Sequence, residues 1–245
     1  SVLDHPTPAT IEELVASRLE RLTAPAREVV EAAAVMGRDV PRSVIAGVLR
    51  RPVDALQQEL DELGGLEILV EAGPSGDPLL RFHHPLLQEV AHSRLADAQL
   101  RRLHARAHEV LRAAERPGLA DDTERLARHA FHGALWREAV ELLADAAQKA
   151  AVRATHTEAV AHLEMALAAL DHLPESPETL ERSVDIRLAL KSSLTEIGDH
   201  ARVLEHLQKA ETLAERLGDP QRVGPAAPFH RGPYPPAGDR RRAPA

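Results

Sequence analysis

Apolar residues recur along this chain at helical spacing, three or four positions apart, over most of its length. In the stretch 10–22, such residues lie on one face of a helix, and Thr10 and Glu13 have the spacing of a capping box at its start. Similar patterns predict helices over 23–37, with Pro25 in the first turn, near 41–49, and over 51–65. The first quarter of the chain is therefore predicted to be helical.

The period then changes between residues 66 and 83. The runs "LEILVEA" and "LLRFH" have β-like composition, and the glycines and prolines of "GPSGDP" between them suit a hairpin loop. Three or four helices followed by a β-hairpin is the element order of a winged-helix module. We expect strands nowhere else in the chain.

From Pro85 to Gly218 the pattern predicts a series of helix pairs, with breaks near 116–122 and 174–178. Two segments of this region are weakly similar, so that Leu163 aligns with Leu207 and Ala166 with Ala210. Small residues at fixed helix positions favour a tetratricopeptide-like solenoid. The alternative is that amphipathic helices rich in alanine and leucine resemble one another without being repeats.

These patterns predict a mainly α chain with three parts. A winged-helix-like module with a small β-hairpin spans 1–98, and tetratricopeptide-like helices span 99–218. The last part, 219–245, is rich in proline, glycine and arginine, a composition that cannot bury a core, and is predicted to be disordered. The abrupt loss of helical pattern there is explained either by a frameshifted or truncated reading frame or by a genuine linker.

Composition excludes several classes of protein. The chain has 245 residues, a net charge of −8 and only 2% aromatic residues, so leucine, alanine and valine must fill its core. The negative charge argues against a general nucleic-acid or anionic-membrane binder. The absence of cysteine excludes disulfides, cysteine-ligated zinc and thiol catalysis. With no membrane-length apolar run and no signal peptide, we expect a soluble, cytoplasmic chain.

Motifs that carry catalysis are missing from the sequence. It contains no GxxxxGK[ST] loop, no GxGxxG after a strand, no GxSxG turn and no HExxH helix. The chain alone is therefore predicted to have no catalytic residues and to hydrolyse no ATP. His104 and His108 lie four apart, as two metal ligands would, but no third ligand follows at a fixed spacing. We expect a solvated or interdomain face there, as for His129 and His132, and no metal site.

The winged-helix pattern raises the question of DNA binding by the helix predicted over 51–65. Arg50 and Arg51 precede this helix, and the wing loop has no basic residue. Acidic residues on the helix would face phosphates with like charge, and these are Asp54, Glu59, Asp61 and Glu62. We expect this helix to have a packing role rather than to bind DNA.

The run "RFHHPLLQEVAHSRL", residues 81–95, contains the strongest candidate site. Pro85 suits the first position of a helix, which makes His84 the N-cap and places an imidazole where backbone N–H groups attract phosphate. Arg81 and Arg94 add positive charge nearby in the sequence. From the residues alone, His84 either contacts a phosphate or only caps its own helix.

This run belongs to a longer resemblance. Together with "RLERLTAPAREVVEAAAVMGRDVP" and "LRRLHARAHEVL", it resembles the region that follows the nucleotide-binding module in bacterial signal-transduction ATPases with numerous domains (the STAND class), over residues 7–218. Such ATPases include LuxR-type transcriptional regulators and proteins with class III adenylate/guanylate cyclase domains. The run also resembles the Met-His-Asp-Leu-Leu motif of plant immune and apoptotic ATPases, in which the histidine reads the phosphates of ADP.

Carried over to this sequence, the motif's histidine is His84 and its two leucines are Leu86 and Leu87. His83 replaces the methionine and Pro85 replaces the aspartate, so the role of that acid is lost. The resemblance implies phosphate sensing by His84, with Arg81 and His83 beside it.

The resemblance also implies partners for the chain. A P-loop ATPase module would precede Ser1 and supply the ATP or ADP site, since this chain alone binds no cofactor. A protein or small-molecule effector would bind the helical repeats, and an output domain, a DNA-binding or cyclase domain, would lie at one end. The chain would then be a regulatory and sensor fragment that holds the nucleotide-bound switch closed. The alternatives are a stand-alone helical-repeat scaffold for protein binding and a winged-helix DNA-binding regulator.

Overall fold

The computed structural model describes residues 11–73, 77–113 and 122–219. These residues form eleven α-helices, which are α1 Ile11–Glu20, α2 Ala24–Met36, α3 Arg42–Leu49, α4 Gln57–Gly65, α5 Pro85–Ser93, α6 Asp97–Ala113, α7 Asp122–His132, α8 Trp136–Val152, α9 His156–Leu170, α10 Pro177–Glu196 and α11 His200–Leu217. They also form three short strands, β1 Val40–Pro41, β2 Leu69–Ala72 and β3 Leu79–Phe82, and a 3₁₀ turn, Val53–Leu56, directly before α4. The mainly α fold class predicted from the sequence is confirmed.

Contacts divide the chain into two compact units. The first comprises α1 to α6 and the sheet together with His132–Ala134, and the second comprises the rest of α7 and the helices α8 to α11. The domain boundary expected at 98/99 stays a prediction, although α6 packs on α2 and α3 of the first unit. The capping-box residue Thr10 and the expected disordered tail beyond Asp219 lie outside the described residues.

Helix α2 is the centre of the first unit, because it packs on α3, α4, α5 and α6. It begins at the N-cap Thr23, whose side-chain oxygen accepts the Ala26 backbone N–H at 3.3 Å, and ends at Gly37, whose φ of 101° suits glycine. Nearly every α2 side chain after the first turn is buried, and the buried set includes Val29, Val30, Ala32, Ala33 and Val35. A helix that is apolar on most sides must be covered on most sides, which explains its central place.

The sheet has the order β1-β3-β2, with both pairings antiparallel. The predicted hairpin is confirmed, with Leu69 opposite Phe82 and Ala72 opposite Leu79. The expectation that no other strand exists is wrong, because Val40 pairs with Leu80. Two residues, one of them proline, are too few to show a strand period, so only pairing with β3 reveals β1.

A buried arginine connects the elements of the first unit. The Arg42 residue is only 9% exposed. Its guanidinium donates to the Gln57 side-chain oxygen at 2.9 Å, to Glu71 Oε1 at 3.3 Å and to the Val53 carbonyl at 3.0 Å. Because a buried cation needs several acceptors, this one side chain ties α3 to the start of α4 and to β2.

The second unit consists of helices packed through alanine. Helix α8 packs extensively on α9, α10 packs extensively on α11, and α9 also packs on α10. Several alanines in these contacts have no exposed surface, namely Ala139, Ala146, Ala150, Ala159, Ala166, Ala169, Ala210 and Ala214. Ala166 and Ala210, which align in the sequence, are among them, so the repeated positions have the same buried environment. The described part of the second unit is thus a helical-repeat arrangement.

No helix in the described residues combines the length and the apolar character needed to cross a membrane.

Helices α10 and α11 also meet through a polar contact. Arg187 Nη1 lies 3.3 Å from Nδ1 of His206, whose residue is only 8% exposed. Burial lowers the pKa of His206, and the charge of Arg187 lowers it further, while Glu205 opposes this shift and Arg202 and Lys209 add to it. Neutral His206 accepts a hydrogen bond from Arg187, whereas protonated His206 would repel it.

We expect Leu190→Ala to lower the free energy of unfolding of the second unit by about 2 to 5 kcal/mol, because Leu190 is fully buried in α10. Leu204→Ala is the matched control, since Leu204 of α11 is 60% exposed. Urea unfolding followed by tryptophan fluorescence measures both variants. The readout is specific, because Trp136 of α8 is the only tryptophan and stacks on His172 with ring centroids 4.0 Å apart. Equal losses in the two variants would contradict this packing.

We also expect the second unit to lose stability as the pH falls below about 6.5. At this pH His206 of the unfolded chain begins to bind a proton, whereas His206 of the folded chain, with its lowered pKa, binds one only at lower pH. The lowered pKa of His206 means that its stabilising contribution is present above this range and is lost as the pH falls. His206→Gln keeps a neutral acceptor for Arg187 and removes the proton. The loss between pH 7.5 and 5.5 should therefore be smaller in His206→Gln than in the wild type, measured by urea unfolding with Trp136 fluorescence. An unchanged loss would exclude His206 as its source.

Candidate functional site

The first candidate site lies where β3 leads into α5. His84 has extended backbone angles (φ −138°, ψ 139°), and Pro85 occupies the first helical position, as the sequence predicted. His83 continues the sheet contacts, because its backbone N–H donates to the Ile68 carbonyl at 3.0 Å. Both histidine side chains are exposed. The local sequence thus fixes an imidazole at the start of α5.

The structure shows that His84 caps its own helix. The Leu86 backbone N–H donates to His84 Nδ1 at 3.1 Å. An Nδ1 that accepts a hydrogen bond leaves the proton of a neutral imidazole on Nε2. The capping bond expected from the sequence is therefore present at Nδ1. Phosphate sensing by His84, Arg81 and His83 stays a prediction, and the atom of His84 left to contact a phosphate is Nε2.

The two arginines expected to strengthen this site are each held by a carboxylate. Arg81 Nε donates to Asp39 Oδ1, and this hydrogen bond lowers the pKa of Asp39. Arg94 Nη2 lies 2.6 Å from Glu20 Oε1. The positive charge that these arginines bring near His84 is therefore largely compensated. Sequence analysis missed Asp39, because it lies 42 positions from Arg81 and only the fold brings them together.

Two acidic residues of α4 make contacts within the first unit. Glu59, one of the acids that argued against DNA binding, is only 7% exposed, and Arg51 Nη2 contacts its Oε1 at 2.7 Å. Glu62 is also engaged, since it accepts hydrogen bonds from the Thr23 N–H at 3.0 Å and from the Thr23 hydroxyl at 2.7 Å. These acids stabilise the packing of the first unit, which agrees with the expected packing role of α4.

The histidine pairs weighed as metal ligands are mostly buried. We expected a solvated or interdomain face, but His104 and His108 are only 6% and 4% exposed and His129 is fully buried, while His132 is exposed. The prediction of a solvated face is wrong for His104, His108 and His129, because their helices place these rings on packed faces. Within the part of the chain that the structure describes, no group of three or more histidine or acidic side chains is arranged to hold a metal ion.

A second candidate site is a groove between α8 and α10. Arg137 lies 3.6 Å from Glu178, and Arg182 lies 2.8 Å from Glu141, so both ion pairs join residues 41 positions apart. Because residues one turn apart on α8 pair in the same order with residues one turn apart on α10, the two helices run in the same direction. They lie side by side on α9, with an open channel between them.

The channel contains a cavity of about 260 Å³. Its apolar lining consists mainly of small side chains, with larger ones from α9 and α10, and includes Ala144, Ala147, Ala151, Leu163, Ile186 and Ala189. The alanines of α8 recur at spacings of three and four, so they line one face of the helix. This spacing in "ADAAQKAA" is the signal that sequence analysis had available and did not use.

The polar groups of the groove are unevenly placed. At one end, Glu141 and Asp145 lie one turn apart on α8, with Arg182 of α10 bonded to Glu141. Burial raises the pKa of Glu141, Arg182 opposes this shift and the charge of Asp145 adds to it. At the other end lies Ser193, which is only 4% exposed. The groove is thus acidic at one end and has a hydroxyl at the other.

No family model matches this chain, and no curated protein matches it. Among solved structures, it is similar to the Signal Transduction ATPase with Numerous Domains (STAND) protein with a tetratricopeptide repeat sensor from Pyrococcus horikoshii. The two are 12% identical with a TM-score of 0.47, over 88% of this chain and 35% of that protein. The chain therefore spans about a third of that protein's length.

We expect His84→Ala to destabilise the start of α5 by about 0.5 to 2 kcal/mol, because the Leu86 N–H loses its acceptor. His84→Asn should restore most of this loss, since asparagine is a favoured N-cap residue. Hydrogen exchange of the α5 amides measures both effects. If His84→Ala leaves the protection of these amides unchanged, the capping bond does not stabilise the helix.

Proposed function

We propose that this chain is a regulatory and sensor region of a multidomain signalling ATPase of the STAND class. In this proposal the helical repeats of the second unit bind a partner or effector, and the first unit contributes to a nucleotide-dependent switch. The catalytic P-loop module belongs to another part of the protein. This chain binds nucleotide only together with that module.

The groove between α8 and α10 is the observation that carries the sensor role. Helices whose facing side chains were larger would close this space, whereas the alanines of α8 and Ala189 leave about 260 Å³ open. Polar groups at both ends of the channel give it the means to select a ligand. Helical repeats present such concave surfaces for binding.

The switch role is supported by the free nitrogen of His84. With Nδ1 engaged by Leu86, Nε2 carries the proton and lies on an exposed side chain at the start of α5. An N–H at this position is a donor suited to a phosphate oxygen. ADP held in this way would keep the protein closed, and an effector in the groove would favour the open form if it binds that form more tightly, by a few kcal/mol.

A stand-alone scaffold is the second candidate, and two observations favour it. The bond from Leu86 to His84 and the pair between Arg81 and Asp39 give two of the three predicted site residues a structural task. In a scaffold, the groove would bind its partner without any nucleotide.

Binding of DNA through α4 has less support. The neighbouring Arg50 and Arg51 are paired with Glu109 at 3.4 Å and with Glu59 at 2.7 Å. Retention on DNA that falls steeply with salt would be needed to revive this function.

The test uses the full-length protein encoded by the gene. Its sequence is first determined on both sides of this chain, in all reading frames. If it has a P-loop module, His84→Asn should release a fluorescent ADP analogue about tenfold faster than the wild type, because one hydrogen bond to phosphate is lost while the helix cap is kept. The control is His92→Asn, which changes an exposed histidine of the same helix and should leave the rate unchanged. Stopped-flow fluorescence measures the rates.

Two results would contradict the proposal. A wild-type release rate in His84→Asn would mean that His84 only caps its helix, and the switch role would lose its support. A gene without a P-loop module would leave the scaffold as the function of the chain.

A further inference from the structure

We propose that the groove between α8 and α10 binds an extended peptide segment of three to four residues, with an apolar side chain in the channel and a lysine or arginine at the Asp145 end. This inference deepens the sensor function proposed above and rests on it for its biological role. The binding itself is a property of the second unit alone.

The length of the channel favours an extended peptide. Asp185 and Ser193, both on α10, line the channel eight residues apart, which corresponds to about 12 Å along a helix. An extended chain covers this distance in about three to four residues. The cavity of about 260 Å³ is smaller than the roughly 300 to 1,000 Å³ typical of small-molecule pockets, yet larger than a cavity of about 150 Å³ that holds benzene. Its volume therefore suits one apolar side chain with the adjoining backbone.

Ser193 supplies a hydrogen-bonding group inside the channel. The neighbouring Ser192 donates to the Leu188 carbonyl one turn earlier, at 3.2 Å, as helical serines often do. Ser193 makes no such bond in the described residues, although it is buried and lines the cavity. Its hydroxyl can therefore bond to a peptide backbone N–H or carbonyl that enters the channel.

Charge determines which peptide fits. Arg182 is already bonded to Glu141 at 2.8 Å, so its positive charge is compensated within the protein. Asp145 lies one turn from Glu141 and is exposed at the edge of the channel. The raised pKa of Glu141 reflects burial and the nearby charge of Asp145, which Arg182 only partly offsets. A basic side chain placed here would reduce this repulsion, whereas an acidic one would increase it.

The experiment uses the full 245-residue chain and an array of acetylated, amidated pentapeptides. The central residue is Val, Leu, Ile or Phe, the first and fifth positions are Lys, Arg, Gln or Glu, and the remaining positions are Ala or Ser. In about 50 mM salt, where screening is modest, we expect peptides with one basic end to bind at least fivefold more tightly than the same peptides with Glu. Amide chemical shifts in a titration with the tightest peptide should change at the residues that line the channel.

Variants then test the geometry. Asp145→Lys should reverse the preference from Lys peptides to Glu peptides. Ala189→Leu should weaken binding at least tenfold by filling the channel, while Ala168→Leu, on the exposed face of α9, should not change it. Ser193→Ala should weaken binding about two- to tenfold, the loss of one hydrogen bond. Urea unfolding followed by Trp136 fluorescence verifies that each variant is folded.

The proposal is overturned if Lys and Glu peptides bind equally, or if a folded Ala189→Leu binds as well as the wild type. It is also overturned if no peptide binds while phenethylamine does, because the site would then take a small amine. These results do not depend on the rate of ADP release, which tests the role of His84. A groove that binds peptide in a protein without a nucleotide response would leave this inference standing and the switch proposal wrong.

Discussion

The second unit depends on the close approach of helices that small side chains permit. With aromatic residues making up only 2% of the chain, its core is filled by alanine and by branched aliphatic residues. A fully buried alanine such as Ala139 or Ala166 contributes little apolar area, so stability requires that many backbones come close together. Close approach brings α8 against α9 and α9 against α10, and it places α8 and α10 side by side. The groove is a consequence of this packing. Fully buried alanines of α8 permit close contact with α9, and neighbouring alanines, Ala144, Ala147 and Ala151, leave space where α8 and α10 face each other.

The first unit is organised differently, by charged side chains whose partners lie within the fold. Arg42 holds three acceptors from α4, the preceding 3₁₀ turn and β2, while Glu62 of α4 accepts both Thr23 donors at the start of α2. Arg81 is held by Asp39. Since a buried or partly buried charge is costly without partners, these contacts fix the positions of the elements. They also remove charges that the sequence alone suggested were available for phosphate or DNA. The exposed side chains of His83 and His84 remain near the start of α5.

The two candidate sites therefore differ in kind. At His84, one nitrogen has a structural task and the other is exposed, so a role in nucleotide sensing requires a phosphate that another part of the protein would supply. The groove contains its own selective groups, an acidic end at Asp145 and the hydroxyl of Ser193. A sensor that used both would couple occupancy of the groove to the nucleotide through a difference in affinity between two states.

The sequence by itself determined the helices, the hairpin β2–β3 and the cap at His84, because each of these depends on residues a few positions apart. Helical spacing, the proline after His84 and the glycines between the strands all act locally. Tertiary structure alone decided the strand β1, the burial of Glu59 and His129, the partner of Arg81 and the groove itself. Each of these results from contacts between residues distant in sequence, such as the pairs 41 positions apart that align α8 with α10. Periodicity shows which face of a helix is apolar, but the packing of the other helices decides which part of that face is covered and which stays open to a ligand.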